Sequence, residues 1–287
     1  MHTEPNYGYY LFIAAIFFYI VFSEYKKGRS LKKILREFFV AFLIIFSIRS
    51  FLFDIFIIPS GSMVNNLLVG DIPVVKKYSY GYSPFSLWLS EFIYPNLKSD
   101  IKFFESSPKR GDIFVFRLPT DPSINYVKRI VGLPGDKVQI INGDIYINDQ
   151  RIDRKYVGEY DYDNDENPDL VHFMNVFEEK FPGEGKSHNI IMLTEDELNS
   201  LPYKNYIISK QNTPPYYVPK DHYFGMGDNR DFSNDCRNLE EVGFIHKRYI
   251  IGKVTMVLFS MGNRIKFYEP WKWLQNIRYN RLFKIVE

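Results

Sequence analysis

The distribution of apolar residues is the strongest constraint on this chain. Tyr7–Phe22 is a run of sixteen residues without a charge. A second apolar stretch fills Phe38–Ile48, with Leu31–Leu35 before it and Phe51–Ile58 after it. Runs of this kind approach the ~20 residues that cross the hydrocarbon core of a bilayer. Tyrosines at the outer end of the first can sit among headgroups. Arg49 and Asp54 mark the far end of the second, where a long side chain can snorkel.

Two other readings of the first run stay open. A cleavable signal peptide needs a basic n-region and a small-residue cleavage site. Met1–Asn6 has no Lys or Arg, and Ser23-Glu24-Tyr25 matches such a site poorly. A buried hairpin of a soluble core is the other. Between the runs, Glu24–Glu37 carries Lys26, Lys27, Arg29, Lys32, Lys33 and Arg36 against two glutamates, while the segment ahead of the first run has only Glu4. The positive-inside rule puts this loop in the cytoplasm and sends the bulk of the chain to the other side.

Composition narrows the class further. Lys and Arg number 36 and Asp and Glu 34. That balance argues against a generally basic chain that coats nucleic acid, so no nucleic-acid partner is expected. Hydrophobic residues at 46% exclude an acidic disordered chain. The lone cysteine, Cys236, excludes an internal disulfide and any multi-cysteine zinc site.

Past Ile58 the pattern becomes β-like. Asp71–Lys76, Asp112–Arg117, Asn125–Val131, Lys137–Ile141 and Asp144–Asn148 have strand length and β-branched content, and Asn142-Gly143-Asp144 is a hairpin signal. Further strands are expected at Asn205–Ser209, His222–Met226 and Ile250–Phe259. Tyr82–Leu97 is aromatic and nearly uncharged, which fits a surface skimming the membrane or a covered insertion helix. Glu159–Asp169 holds six acids and no base and reads as a solvated loop. The tail Trp271–Lys284 mixes aromatic and basic residues, which fits an interfacial segment on anionic lipid or a terminal helix packed on the sheet.

Four motifs can carry chemistry. Ile58-Pro59-Ser60-Gly61-Ser62-Met63 offers a serine on a turn, a poor nucleophile unless a base takes its proton. In Tyr126–Asp136, Lys128 shares a strand face with Tyr126 and Ile130, and Arg129 points the other way. At its ordinary pKa about one lysine in 2,500 is neutral at pH 7. Burial can lower that pKa by up to ~3–5 units and make Lys128 a usable base; an edge-strand lysine that snorkels to water is the alternative. Gly227–Arg237 is dense in turn formers and opposite charges, and Arg110–Phe116 is a turn into a buried strand. No histidine sits in a zinc motif. The Asp161, Asp163, Asp165 alternation lacks the glycine and glutamate of a calcium loop, so no metal or cofactor is expected.

Taken together and in order, these boxes resemble the bacterial type I signal peptidases (leader peptidases), membrane-bound Ser/Lys proteases of family S26. The resemblance spans about residues 31–260 and rests most on Lys-Arg-Ile-Val-Gly-Leu-Pro-Gly-Asp and Gly-Asp-Asn-Arg-Asp. It implies Ser62 as nucleophile, Lys128 as general base, and the Ser62 N–H and Ser60 hydroxyl as oxyanion donors. It also implies support from Ser233 bonded to the lysine, from the Asp235–Arg237 ion pair, and from Asp228 and Met63.

The implied architecture is two N-terminal transmembrane helices followed by a mostly-β exported catalytic domain of antiparallel sheets with a β-rich insertion. Its expected bounds are a first span with a short exported N-terminus at 1–23, a cytoplasmic basic loop at 24–37 and a second span at 38–58. The catalytic core follows at 59–141 and 221–265, with the insertion at 142–220 and the tail at 266–287. The implied activity is cleavage of signal peptides from exported preproteins at the bacterial inner membrane, on its extracytoplasmic side.

The chain departs from the family pattern at Asn65-Asn66, where Pro-Thr is usual, and at Cys236 and Phe232. A non-catalytic membrane-anchored homologue that binds preproteins, and a self-cleaving Ser/Lys protein of the repressor kind, are the alternatives. The two apolar runs speak against the second.

Overall fold

The computed structural model describes residues 19–87, 90, 100–163, 171–182, 187–262 and 276–286. The chain divides into two compact units, Met1–Ile48 and Arg49–Glu287.

In the first unit, helix α1 spans Leu31–Ser47. Its outward residues are large and apolar: Phe39, Val40, Phe42, Leu43, Ile44 and Ile45 are all exposed. Ahead of it Arg29 bridges Glu24 and Glu37, at 2.9 and 2.7 Å. The helix therefore starts inside the expected basic loop 24–37. Among the described residues, no helix is both long and apolar enough to cross a membrane. Most of the expected first span, 1–23, lies outside the described residues.

The expected second span, 38–58, is helical only in part. After a π-helical turn at Ile48–Leu52 the chain enters strand β1 (Phe53–Ile55) of the second unit. Asp54 explains the change. It is buried, and it pairs with Lys77 at 2.9 Å and with Arg49 at 2.5 Å. Arg49 thus binds a carboxylate rather than snorkelling.

The second unit is mostly β. Its main antiparallel sheet contains β1, β2 (Asp71–Lys76), β3 (Ile113–Arg117), β4 (Asn125–Gly132), β12 (His222–Met226), β13 (Ile245–His246), β14 (Ile250–Ser260) and β15 (Lys284–Ile285). The order is β1-β2-β14-β3-β4-β12-β13, with β15 on β14. A four-stranded sheet joins β5 (Lys137–Ile141), β6 (Asp144–Ile147), β7 (Gln150–Arg151) and β11 (Tyr216–Tyr217). It takes strands from both sides of residue 142, where the insertion was expected to begin. A three-stranded sheet joins β8 (Asp153–Asp163), β9 (Val171–Lys180) and β10 (Ser187–Leu193).

The central strand β3 is buried on both faces because period-two alternation feeds two cores. Phe114 and Phe116 enter one, with Ile130, Val138 and Phe224. Ile113 and Val115 enter the other, with Met63, Leu67, Val75 and Val257. A third core under β9 and β10 holds Val64, Met174, Ile191, Leu193 and Ile207.

Two local expectations change. Asn205–Ser209 lies in helix α3 (Lys204–Gln211), which follows α2 (Glu195–Ser200). Five residues containing one Ile-Ile pair cannot separate the two periods, and burial of Ile207 against the third core selects the helix. Glu159–Asp163 belongs to β8, paired with β9, rather than to a solvated loop; residues 164–170 lie outside the described ones.

Candidate active site

Strand β4 aims two cations at opposite faces of the main sheet. Lys128 stands opposite Phe114 and Arg129 opposite Ile113. The lysine therefore enters the Phe114 face, where the Tyr126 ring lies 5.2 Å from Nζ and Gly225 leaves room beside its Cβ. Lys128 is 3% exposed. Burial lowers its pKa to about 8, although the nearby Asp235 carboxylate opposes the shift.

Ser62 comes to this amine from another part of the chain. Ser60 is extended and exposed, and Gly61–Met63 then forms a single 3₁₀ turn. The N–H groups of such a first turn have no acceptor within the helix. Met63 anchors the turn by burying its side chain in the second core. Asn229 holds it from the opposite side: its Nδ2 donates to Gly61 O at 3.2 Å and its N–H to Ser62 O at 3.1 Å. In this setting Lys128 Nζ lies 2.8 Å from Ser62 Oγ, in hydrogen-bond contact.

The loop after β12 surrounds the pair with buried charge. Arg129 grips Asp228 through Nε to Oδ1 at 2.8 Å and Nη2 to Oδ2 at 2.9 Å. Burial alone would raise the Asp228 carboxyl, but the Arg129 guanidinium outweighs it and the net shift is downward. Arg237 grips Asp235 in the same two-pronged way, both contacts at 2.8 Å, and Gly227 N donates to Asp235 Oδ2 at 3.0 Å. These donors overcome the upward push of burial and hold Asp235 far below the usual carboxylate range.

Ser233 departs from its implied role. Its Oγ is buried without a hydrogen-bond partner, so the bond to Lys128 is not made. The hydroxyl abuts Gly227, where a Cβ would stand 2.3 Å from it. Cys236 is an inert core thiol. Its sulfur accepts from Gly225 N at 3.1 Å, and burial pushes its pKa up.

A family model described as "Signal peptidase, peptidase S26" matches residues 31–259. The chain belongs to the S26 signal peptidase family. A "Signal peptidase I" of Rickettsia typhi is 36% identical over 90% of this chain and 95% of its own length. Another, of Rickettsia akari, is 37% identical over 83% and 86%. A solved signal peptidase I from Enterococcus faecalis V583 is 25% identical over 52% of this chain and 98% of its own, with a TM-score of 0.28. Membership makes this chain a hydrolase that cuts peptide bonds.

Several residues of this S26 site have no role legible in the sequence. For Arg129 the strand period shows only that it faces away from Lys128. Asn66, at the departure from the family pattern, is well anchored: its Nδ2 donates to Asp228 Oδ2 and to Asn189 O, both at 2.7 Å. Gly227 is fixed by packing. A Cβ there would lie 2.5 Å from Ser62 O as well as clashing with Ser233. Gly227→Ala is therefore expected to displace the serine turn and cut kcat/KM by about 10²-fold, the usual cost of an ångström of misplacement. Steady-state cleavage beside a thermal melt checks it; a normally folded variant of wild-type activity would show that the contact yields freely.

Proposed function

We propose that this S26 peptidase is a membrane-anchored endopeptidase that removes signal peptides from exported preproteins, with Ser62 as nucleophile and Lys128 as general base. The observation that carries the reading is the 2.8 Å contact between Lys128 Nζ and Ser62 Oγ inside a buried setting. A pKa of about 8 raises the neutral fraction of the amine at pH 7 to about one in ten.

Neutral Lys128 takes the Ser62 proton as Oγ attacks the scissile carbonyl. Charge developing on the carbonyl oxygen meets the Ser62 N–H and the Ser60 hydroxyl, donors of a kind worth roughly 2.7–4 kcal/mol each. The lysinium then protonates the leaving amine, and water deprotonated by Lys128 clears the acyl-enzyme. No metal or cofactor enters the scheme. The substrate lies extended beside the site. Strand β12 pairs with β4 only from Arg129 onward, which leaves the edge at Asn125–Lys128 beyond that pairing for an incoming strand.

Anchoring follows from α1. Its seventeen residues, Leu31–Ser47, rise about 25 Å, at the short end of what a hydrocarbon core takes. Each large apolar side chain left in water costs roughly 1.5–3 kcal/mol relative to burial, so a face carrying Phe39, Phe42, Leu43, Ile44 and Ile45 favours lipid. The basic residues preceding α1 place that end in the cytoplasm and the catalytic unit on the extracytoplasmic face of the bacterial plasma membrane. The catalytic unit itself exposes Phe53, Ile55, Ile57, Phe103 and Phe104, large apolar side chains that lipid contact would favour. Of Tyr82–Leu97, only 82–87 and 90 are described, and Phe85 there is covered, its ring 5.3 Å from that of Tyr249.

The test is a preprotein offered to the full chain in detergent. Wild type is expected to cut once, after a small residue, and Ser62→Ala to leave the preprotein intact. Absence of cutting by wild type sinks the reading. The acid limb of kcat/KM adds a second check. Activity needs the neutral amine, so it should fall tenfold per unit below a midpoint near pH 8. A flat profile down to pH 6 would remove Lys128 from the base role.

A further inference from the structure

The C-terminal segment 276–286 is woven into the catalytic unit. Ile277 bridges Met261, Arg278 N donates to Ser260 O at 3.0 Å, β15 pairs with β14, and Val286 N donates to Thr255 O at 3.0 Å. The Arg278 side chain adds bonds from Nη1 to Met261 O at 3.2 Å and Ser260 Oγ at 3.4 Å. The Arg281 side chain, and one further bond of Arg278, reach the loop that runs from Ser62 to Gly70.

Arg281 is buried, and its guanidinium bonds to that loop and to Asp71 at its end. Its Nε donates to Asp71 Oδ1 at 3.0 Å, and its Nη2 donates to Asp71 Oδ2 at 2.5 Å and to Asn66 O at 2.9 Å. Asp71 is fully buried, and its Oδ2 also accepts the Leu68 N–H at 2.8 Å. Arg278 Nη1 adds a bond to Val69 O at 2.7 Å. The same stretch is held at its other side by Asn66 on Asp228. The loop between nucleophile and β2 is thus gripped at three carbonyl or carboxylate groups from the C-terminus and at one amide from the catalytic loop.

Paired guanidinium and carboxylate in a two-pronged geometry fix orientation better than they add stability, because burying both ions offsets their attraction. We infer that Arg281 is a positioning residue for the nucleophile: through Asp71 and the Asn66 carbonyl it sets the loop so that Ser62 Oγ stays within reach of Lys128 Nζ. It touches neither substrate nor the reacting atoms. The inference rests on the Ser/Lys reading above.

The experiment uses the full chain in detergent with a preprotein, comparing wild type, Arg281→Lys and the neutral pair Asp71→Asn/Arg281→Gln. Arg281→Lys loses the fork, and the neutral pair keeps hydrogen bonding without leaving a buried charge alone. Both are expected to lower kcat by about 10–100-fold with KM within twofold. The midpoint of the acid limb should move upward from about 8, because a displaced turn lets water reach Lys128. A staple that merely holds the fold would instead lower the melting temperature while leaving kcat per folded molecule and the pH midpoint in place; that result overturns the inference. Failure of both variants to fold overturns it as well. A wild type that cuts nothing removes the Ser/Lys reading itself, and is seen before any variant is compared.

Discussion

Lys128→Met is expected to fold, to melt later than wild type below pH 8, and to cut a preprotein on the order of 10⁴-fold more slowly. The loss follows from removing the amine that lies in hydrogen-bond contact with Ser62 Oγ. The gain follows from burial. Lys128 has a pKa of about 8 in the fold against an ordinary 10.5. Below pH 8 both folded and unfolded chains carry the ammonium, and the folded one bears the full cost of burying it. That cost fades as pH rises from about 8 toward 10.5, so wild-type stability rises across this window. Methionine has a similar shape and no charge, and its replacement of the ammonium is worth up to about 3 kcal/mol at neutral pH. Cleavage assays and melts on the same preparation read both effects. An inactive variant that melts earlier than wild type would mean that Lys128 is a structural group rather than a strained functional one.

Arg129→Met has the second large effect, and it acts on stability first. The substitution leaves Asp228, fully buried, without its two-pronged partner. Breaking a buried pair from one side costs about 3–5 kcal/mol. The pH dependence supplies a signature. In the wild type the Asp228 carboxyl sits below its ordinary range. Its contribution is present above the unfolded pKa and is lost as pH falls through the folded one. Without the guanidinium, burial pushes that carboxyl upward, and protonation then relieves the folded state. The gap between variant and wild type should narrow from pH 7 to pH 4.5. Adding Asp228→Leu should recover much of the lost stability but not the activity, because Asn66 loses its anchor on the carboxylate. Denaturant melts at the two pH values check both statements; a gap that widens in acid contradicts them.

The sequence exposed the parts of this molecule that depend on local pattern. Strands at Asp71–Lys76, Asn125–Val131 and Ile250–Phe259 announce themselves by β-branched alternation between turn residues, and the structure has β2, β4 and β14 there. The change from helix to strand near Leu52 was hidden, because Phe51–Ile58 is apolar in either state. What decides it is Asp54, whose partners Lys77 and Arg49 lie on both sides of it in the chain. The end of β8 was illegible for a related reason: the acids and tyrosines of Glu159–Asp163 mimic a solvated loop until the β8–β9 register pairs them. Within the site, the residue types of Ser62 and Lys128 were visible, and the distance between them was not. Arg281 and Asp71 could not be matched from sequence at all, since no spacing rule links residues that meet only after the sheet has closed.

Two backbone hydrogen bonds tie the insertion to the loop after β12. Ile191 N donates to Asp228 O at 2.9 Å, and Arg230 N donates to Ile191 O at 3.0 Å, so β10 runs alongside the loop as a short parallel neighbour. Leu193 N also donates to Asp231 Oδ2 at 2.8 Å. The amides of Ile191, Leu193 and Arg230 therefore share one opening reaction. In amide hydrogen exchange they should lose protection together, with a common free energy, as a single cooperative unit. The insertion sheet would then be half of the catalytic loop's folding unit, and any partner that clamped β8–β10 would slow the breathing of the active site without coming near Ser62.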